Sequence, residues 1–120
     1  EMQESFRVFF NRKYQWFNVF LHDVSPNTFQ RRKSGRWGYF IATWENPRRG
    51  LFGEIHLVQS RVRPDVVVHE LDHLRCEWLF AKNMAITPKN EEWWCTFGDE
   101  LIRRFYKEYD KHIEKTIRRK

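Results

Sequence analysis

The segment His69-Glu70-Leu71-Asp72-His73 is the part of this sequence best suited to chemistry. On a helix, residues four apart lie one turn above each other, so His69 and His73 present two imidazoles on one face at a spacing that suits a single zinc ion. Glu70, beside the first imidazole, is placed to act as general base toward a metal-activated water. The competing reading is two ordinary half-buried histidines on a core helix. It is the weaker one, because histidine is uncommon and this pentapeptide sits in an amphipathic segment with strong helix-start signals. The residues therefore read first as a metal-dependent hydrolase.

The elements around the pentapeptide must hold it against a core. Arg63-Pro64-Asp65 opens its helix, since proline is tolerated in a first turn and an acid there suits the positive end of the helix dipole. Val67, Leu71, Leu74 and Trp78 recur at helical spacing as the core stripe, with His69, Glu70, His73 and Glu77 on the neighbouring polar face, and Lys82-Asn83 closes the helix. Upstream, Ser5 to Phe10 and Trp16 to Leu21 read as strands joined by the polar turn Asn11-Arg12-Lys13. Ser25-Pro26-Asn27 signals a short helix over 28–33, ended by Ser34-Gly35. Trp37 to Trp44 and Leu51 to Gln59 flank the turn Glu45–Gly50, which predicts an antiparallel hairpin. Downstream, Asn90 is placed to cap a second helix with Glu91 and Glu92 in its first turn and an apolar stripe through Trp94, Leu101, Ile102, Phe105 and Tyr109. The expected class is α+β: a small antiparallel or mixed sheet packed on the histidine-bearing helix and a C-terminal glutamate-bearing helix, in one domain over 1–120.

Catalytic zinc usually takes three protein ligands and keeps a fourth position open. No third histidine follows closely after His73, and Cys76 lies on the same helix as the pair, so a carboxylate from the next helix is the better donor. Glu91 and Glu92 are the two choices. Helical phase puts Glu91 nearer the middle of the apolar stripe and Glu92 toward its edge, which does not decide between them; both also suit the dipole of a first turn. Asp99 is a candidate to hold a ligand imidazole from behind, and His56, Tyr106 and Tyr109 are candidates for the oxyanion donor.

At 120 residues the chain is large enough for one core, and with 18% aromatic residues against 32% charged it is not composed like a disordered segment. No run approaches a membrane span. The net charge of +6 invites a nucleic-acid reading, but the cations fall in short clusters (Arg31-Arg32-Lys33, Arg48-Arg49, Arg118-Arg119-Lys120) without an aromatic-interleaved pattern, so a solvated surface is the better default. Two cysteines, Cys76 and Cys95, make no disulfide framework and fit a reducing cytoplasm.

Several stretches resemble small phage- and bacteria-encoded zinc metallopeptidases of the gluzincin group: Gly53-Glu54-Ile55-His56-Leu57, Val68 to Leu74, Asn90 to Cys95, and Leu101 to Tyr106. The likeness covers the C-terminal half well and the N-terminal strands loosely. It implies a zincin-like fold, one Zn2+, a peptide or protein substrate, and a third ligand on the helix after the HExxH helix. That family's ligand glutamate precedes a small residue by three positions and a leucine by nine, which carries over onto Glu92, with Cys95 and Leu101 in the matching places; Glu91 stays the alternative. The resemblance also implies that the strand Gly53–Val58 is a sheet edge able to pair with substrate main chain. Asp72 departs from the pattern, which has an uncharged residue there. An aspartate in that slot is similar to the metal helix of peptide deformylases, but their upstream Gly-Cys-Leu ligand motif has no counterpart before Cys76. A deformylase-like amidohydrolase is therefore the weaker resemblance. The alternative from another class is a basic nucleic-acid- or protein-binding module with a structural metal or none.

Overall fold

Period-two alternation of apolar residues builds a sheet with one face set aside for the helices. The computed structural model describes residues 3–10, 15–23, 37–43 and 50–118. In strand β1 (Gln3–Phe10), Phe6, Val8 and Phe10 face the core, and in β2 (Gln15–His22) Phe17, Val19 and Leu21 do the same. The two strands pair antiparallel, with Val8 opposite Phe17 and Phe6 opposite Val19. Strands β3 (Gly38–Ala42) and β4 (Leu51–Val58) also pair antiparallel, as the Pro/Gly turn between them predicts. The predicted helix over 28–33 and the turns at 11–13 and 45–49 lie outside the described residues.

The sheet order is β1-β2-β4-β3, with β4 parallel to β2. This corrects the expectation for Gly53–Val58: β4 is an inner strand whose main chain is taken on both sides, and among the described residues β3 is the edge on that side. Between β2 and β4 the register slips, Trp16 opposing Leu51 and Phe17 opposing Gly53. Phe52 is the extra residue of this bulge and turns into the core, where its ring meets that of Phe10 edge-on at 5.9 Å.

Helix α1 (Pro64–Ala81) lies against β3, and helix α2 (Glu91–Arg118) against β1. Val67, Leu71 and Leu74 of α1 and Leu101 and Phe105 of α2 are buried with the strand residues in one continuous cluster, so both helices cover the same face of the sheet. Pro64 takes the first helical position of α1. At the other end Asn83 adopts a left-handed φ of 52°, its N–H reaching the Phe80 carbonyl while that of Met84 reaches Leu79, a closed C-terminus that needs no glycine. Asn90 directly precedes α2, and its carbonyl accepts the first helical bond from Trp94. Its side chain turns away from the helix, Oδ1 accepting from the Thr87 N–H at 2.7 Å and Nδ2 donating to the Ala85 carbonyl, so it braces the interhelical loop instead of capping the helix.

Close packing of β3 on β4 gives a first expected result. A Cβ built on Gly53 would stand 2.5 Å from Phe40 Cε1 and 2.8 Å from the Ile41 carbonyl oxygen, so backbone as well as side chain must shift. Gly53→Ala should lower stability by about 1–3 kcal/mol. At Gly98 the added atom would meet side-chain atoms of Arg75 alone, at 2.6 Å, with no backbone in the way, and Gly98→Ala should cost less. Urea midpoints of the two variants check the ordering.

Candidate metal centre

Because α1 buries the side bearing Val67, Leu71 and Leu74, the opposite side carrying His69 and His73 is exposed. The two Nε2 atoms are 3.2 Å apart, with the rings close to perpendicular. Two nitrogens bound to one tetrahedral zinc at their usual distances sit roughly 3.3–3.4 Å apart, so the pair has the separation of a shared metal edge. In the absence of metal, one Nε2–H can donate to the other nitrogen; to bind a cation both must present lone pairs, with the protons on Nδ1.

Glu70 departs from the predicted polar face. It points under β3, where a Cβ on Gly38 would come within 3.3 Å of its Cγ, and only 1% of the residue is exposed. Its Oε1 is buried without a hydrogen-bond partner. Burial pushes its pKa up to about 7, because a carboxylate taken from water without a compensating donor favours its neutral form. A carboxyl that exchanges its proton near neutrality is what general base and then general acid catalysis asks for.

Beside the pair, a cleft of about 410 Å³ runs between α1 and the β3 edge, lined by Phe40, Ala42, His73, Cys76, Glu77 and Phe80. Asp72 points elsewhere, toward α2. Its Oδ1 accepts from Arg75 Nη2 at 3.0 Å, and Arg75 Nη1 donates to the Trp94 carbonyl at 2.8 Å with the guanidinium 4.0 Å above the Trp94 ring. The charge in the unusual slot thus belongs to a clamp between the helices, a role that only the spatial partner Arg75 reveals.

The other predicted site residues are spread out. Glu91 and Glu92 are exposed at the start of α2, and among the described residues no three His, Cys, Asp or Glu side chains converge as a metal-binding group. The pair is brought together, and neither glutamate joins it in this arrangement. Asp99 lines the gap between the helices beside Asp72 and Arg75. His56 lies on the sheet face away from the helices, stacked between Phe20 and Tyr39 at 4.7 and 4.5 Å, with Nδ1 2.9 Å from His22 Nε2 and Nε2 3.1 Å from Glu54 Oε1. The sheet itself therefore lies between this one of the three oxyanion candidates and Glu70 with the imidazole pair. Tyr106 and Tyr109 pack on Phe105. The Tyr106 hydroxyl is buried without a partner; burial first, then the neighbouring Tyr109 and the charges of Asp110 and Asp65, raise its pKa. Burial and Asp110 raise that of Tyr109.

Among the described residues no helix is long and apolar enough to cross a membrane. Comparison of the chain with protein-family models, with curated proteins and with solved structures finds no match.

Proposed function

We propose that the chain is a zinc-dependent peptidase of zincin-like design. The observation that carries this reading is the 3.2 Å approach of His69 and His73 with the orphaned, buried carboxyl of Glu70 on the intervening turn of the same helix. His69 and His73 would hold the ion, and Glu92, or Glu91 as the alternative, would be the third ligand. The third position rests on the resemblance alone and requires the start of α2 to approach the pair. Zinc supplies Lewis acidity toward the scissile carbonyl and an acidified water. Glu70 accepts the proton of the attacking water and returns it to the leaving amine. Among the described residues the outer edge of β3 is unpaired, so β3, in place of the β4 edge that the resemblance implied, would offer main-chain groups beside the cleft to an extended substrate.

The test is metal content by mass spectrometry on wild type, His69→Ala, Glu92→Ala and Glu91→Ala, alongside cleavage of a denatured protein mixture. Wild type should carry one zinc, and His69→Ala should carry none. Loss of zinc from Glu91→Ala with retention in Glu92→Ala transfers the third ligand to Glu91. Full zinc in His69→Ala removes the centre altogether.

A further inference from the structure

Among the described residues a second strand edge is open, at the end of the sheet opposite β3. Among the described residues β1 pairs only with β2. Arg104 Nη1 donates to the Phe9 carbonyl at 3.4 Å, which shows that the main-chain groups of Phe9 point away from β2; by strand alternation those of Arg7 and Ser5 do so as well. Ser5, Arg7 and Phe9 are all exposed. Beside this edge α2 forms the wall of two adjoining grooves, of about 620 and 370 Å³.

That wall is basic in a regular way. Arg103, Lys107, Lys111 and Lys115 recur every four residues along α2, and all four line the grooves. Among the described residues, Glu100 and Glu108 are the only acids lining them. Glu100 is shared by Arg103 and Arg104, at 2.5 and 2.6 Å, and Glu108 meets Lys111 at 3.3 Å, so among the described residues Lys107 and Lys115 have no carboxylate partner. Four helical residues advance roughly 6 Å. Side chains on one face of an extended strand repeat at roughly 6.6–6.8 Å, so alternate residues of a chain laid on the β1 edge would each come opposite one cation of the row.

We propose that the β1 edge and the α2 cation row together form a docking site for an extended acidic polypeptide segment with a carboxylate at every second residue. The strand edge decides between polypeptide and nucleic acid. It offers donors and acceptors in alternation, which a peptide main chain satisfies in full and a phosphate backbone, having only acceptors, does not. The site is separate from the metal centre and does not depend on it.

The experiment is fluorescence anisotropy, with chelator present so that no probe is cleaved. The probes are a labelled ten-residue alternating Glu-Val peptide with blocked ends, the same peptide N-methylated at alternate amides, a Lys-Val counterpart, and oligo(dT). The Glu-Val peptide should bind, and at least tenfold more weakly after N-methylation or to Lys107→Glu/Lys111→Glu, both surface changes; the Lys-Val peptide should not bind. Absence of Glu-Val binding, an unchanged Kd for the N-methylated peptide or for the double variant, or tighter binding of oligo(dT) overturns the proposal, the last in favour of a phosphate-binding surface.

Discussion

Glu70→Gln is expected to abolish turnover while raising the stability of the metal-free protein at alkaline pH. Loss of a positioned proton carrier typically removes a factor of about 10²–10⁴ in rate, and since glutamine leaves both imidazoles in place, zinc content should hold. The stability effect has a definite sign. The buried carboxyl titrates at about 7, against 4.5 in the unfolded chain, so the folded state keeps a proton that the unfolded state gives up. The stabilisation linked to that proton is fully present below pH 4.5 and is lost as pH rises through about 7. Glutamine resembles the protonated acid and has nothing to lose. The difference between variant and wild type should therefore open across that window and level off above it at about 1–3 kcal/mol, below the ceiling set by roughly 1.4 kcal/mol for each pH unit between the folded and unfolded titrations. Urea midpoints from pH 4 to 9 in chelator measure this directly. Parallel curves for the two proteins would place the Glu70 carboxylate in water and remove the structural basis for its role.

Phe105→Ala is expected to cost about 3–5 kcal/mol, a large share of the roughly 5–15 kcal/mol typical of a whole domain. The Phe105 ring is fully buried, 5.8 Å from Phe6 of β1 and from Tyr109 and 5.1 Å from Tyr106, so it joins α2 to the sheet. Truncation leaves a void bounded by rings that are themselves held by neighbours and collapse only partly. Thermal melts should show the loss, while Ile102→Ala, on the half-buried flank of the same helix, should lose less.

What could be read in advance follows the range of the physical signals. The pairing of His69 with His73, the Val67–Leu71–Leu74 stripe and the strand residues Phe6, Val8 and Phe10 are set by local periodicity, and sequence placed them. The burial of Glu70 depends on β3 crossing over the helix at Gly38, a contact between segments about thirty residues apart. The inner position of β4 depends on a parallel pairing with β2, which no turn signal announces. His56 shows the same limit within one strand: alternation predicts that it opposes Ile55 and Leu57, but which set meets the helices is decided by the whole sheet. Asp72, out of pattern in the motif, becomes intelligible once Arg75 and the Trp94 carbonyl are seen beside it.

The register slip at Phe52 acts as a reading frame for the sheet's chemistry. Strict alternation from Leu51 would put Gly53, Ile55 and Leu57 on the outer face; the one inserted residue resets the phase, so that they face the helices opposite Phe17, Val19 and Leu21. Removing Phe52 would leave a regular ladder, with Leu51 still opposite Trp16 and Gly53 opposite Phe17, and with Ile55 and Leu57 still facing the helices opposite Val19 and Leu21. Deletion of that one residue is thus expected to keep the sheet's facing and to cost only the core contact of the Phe52 ring with Phe10.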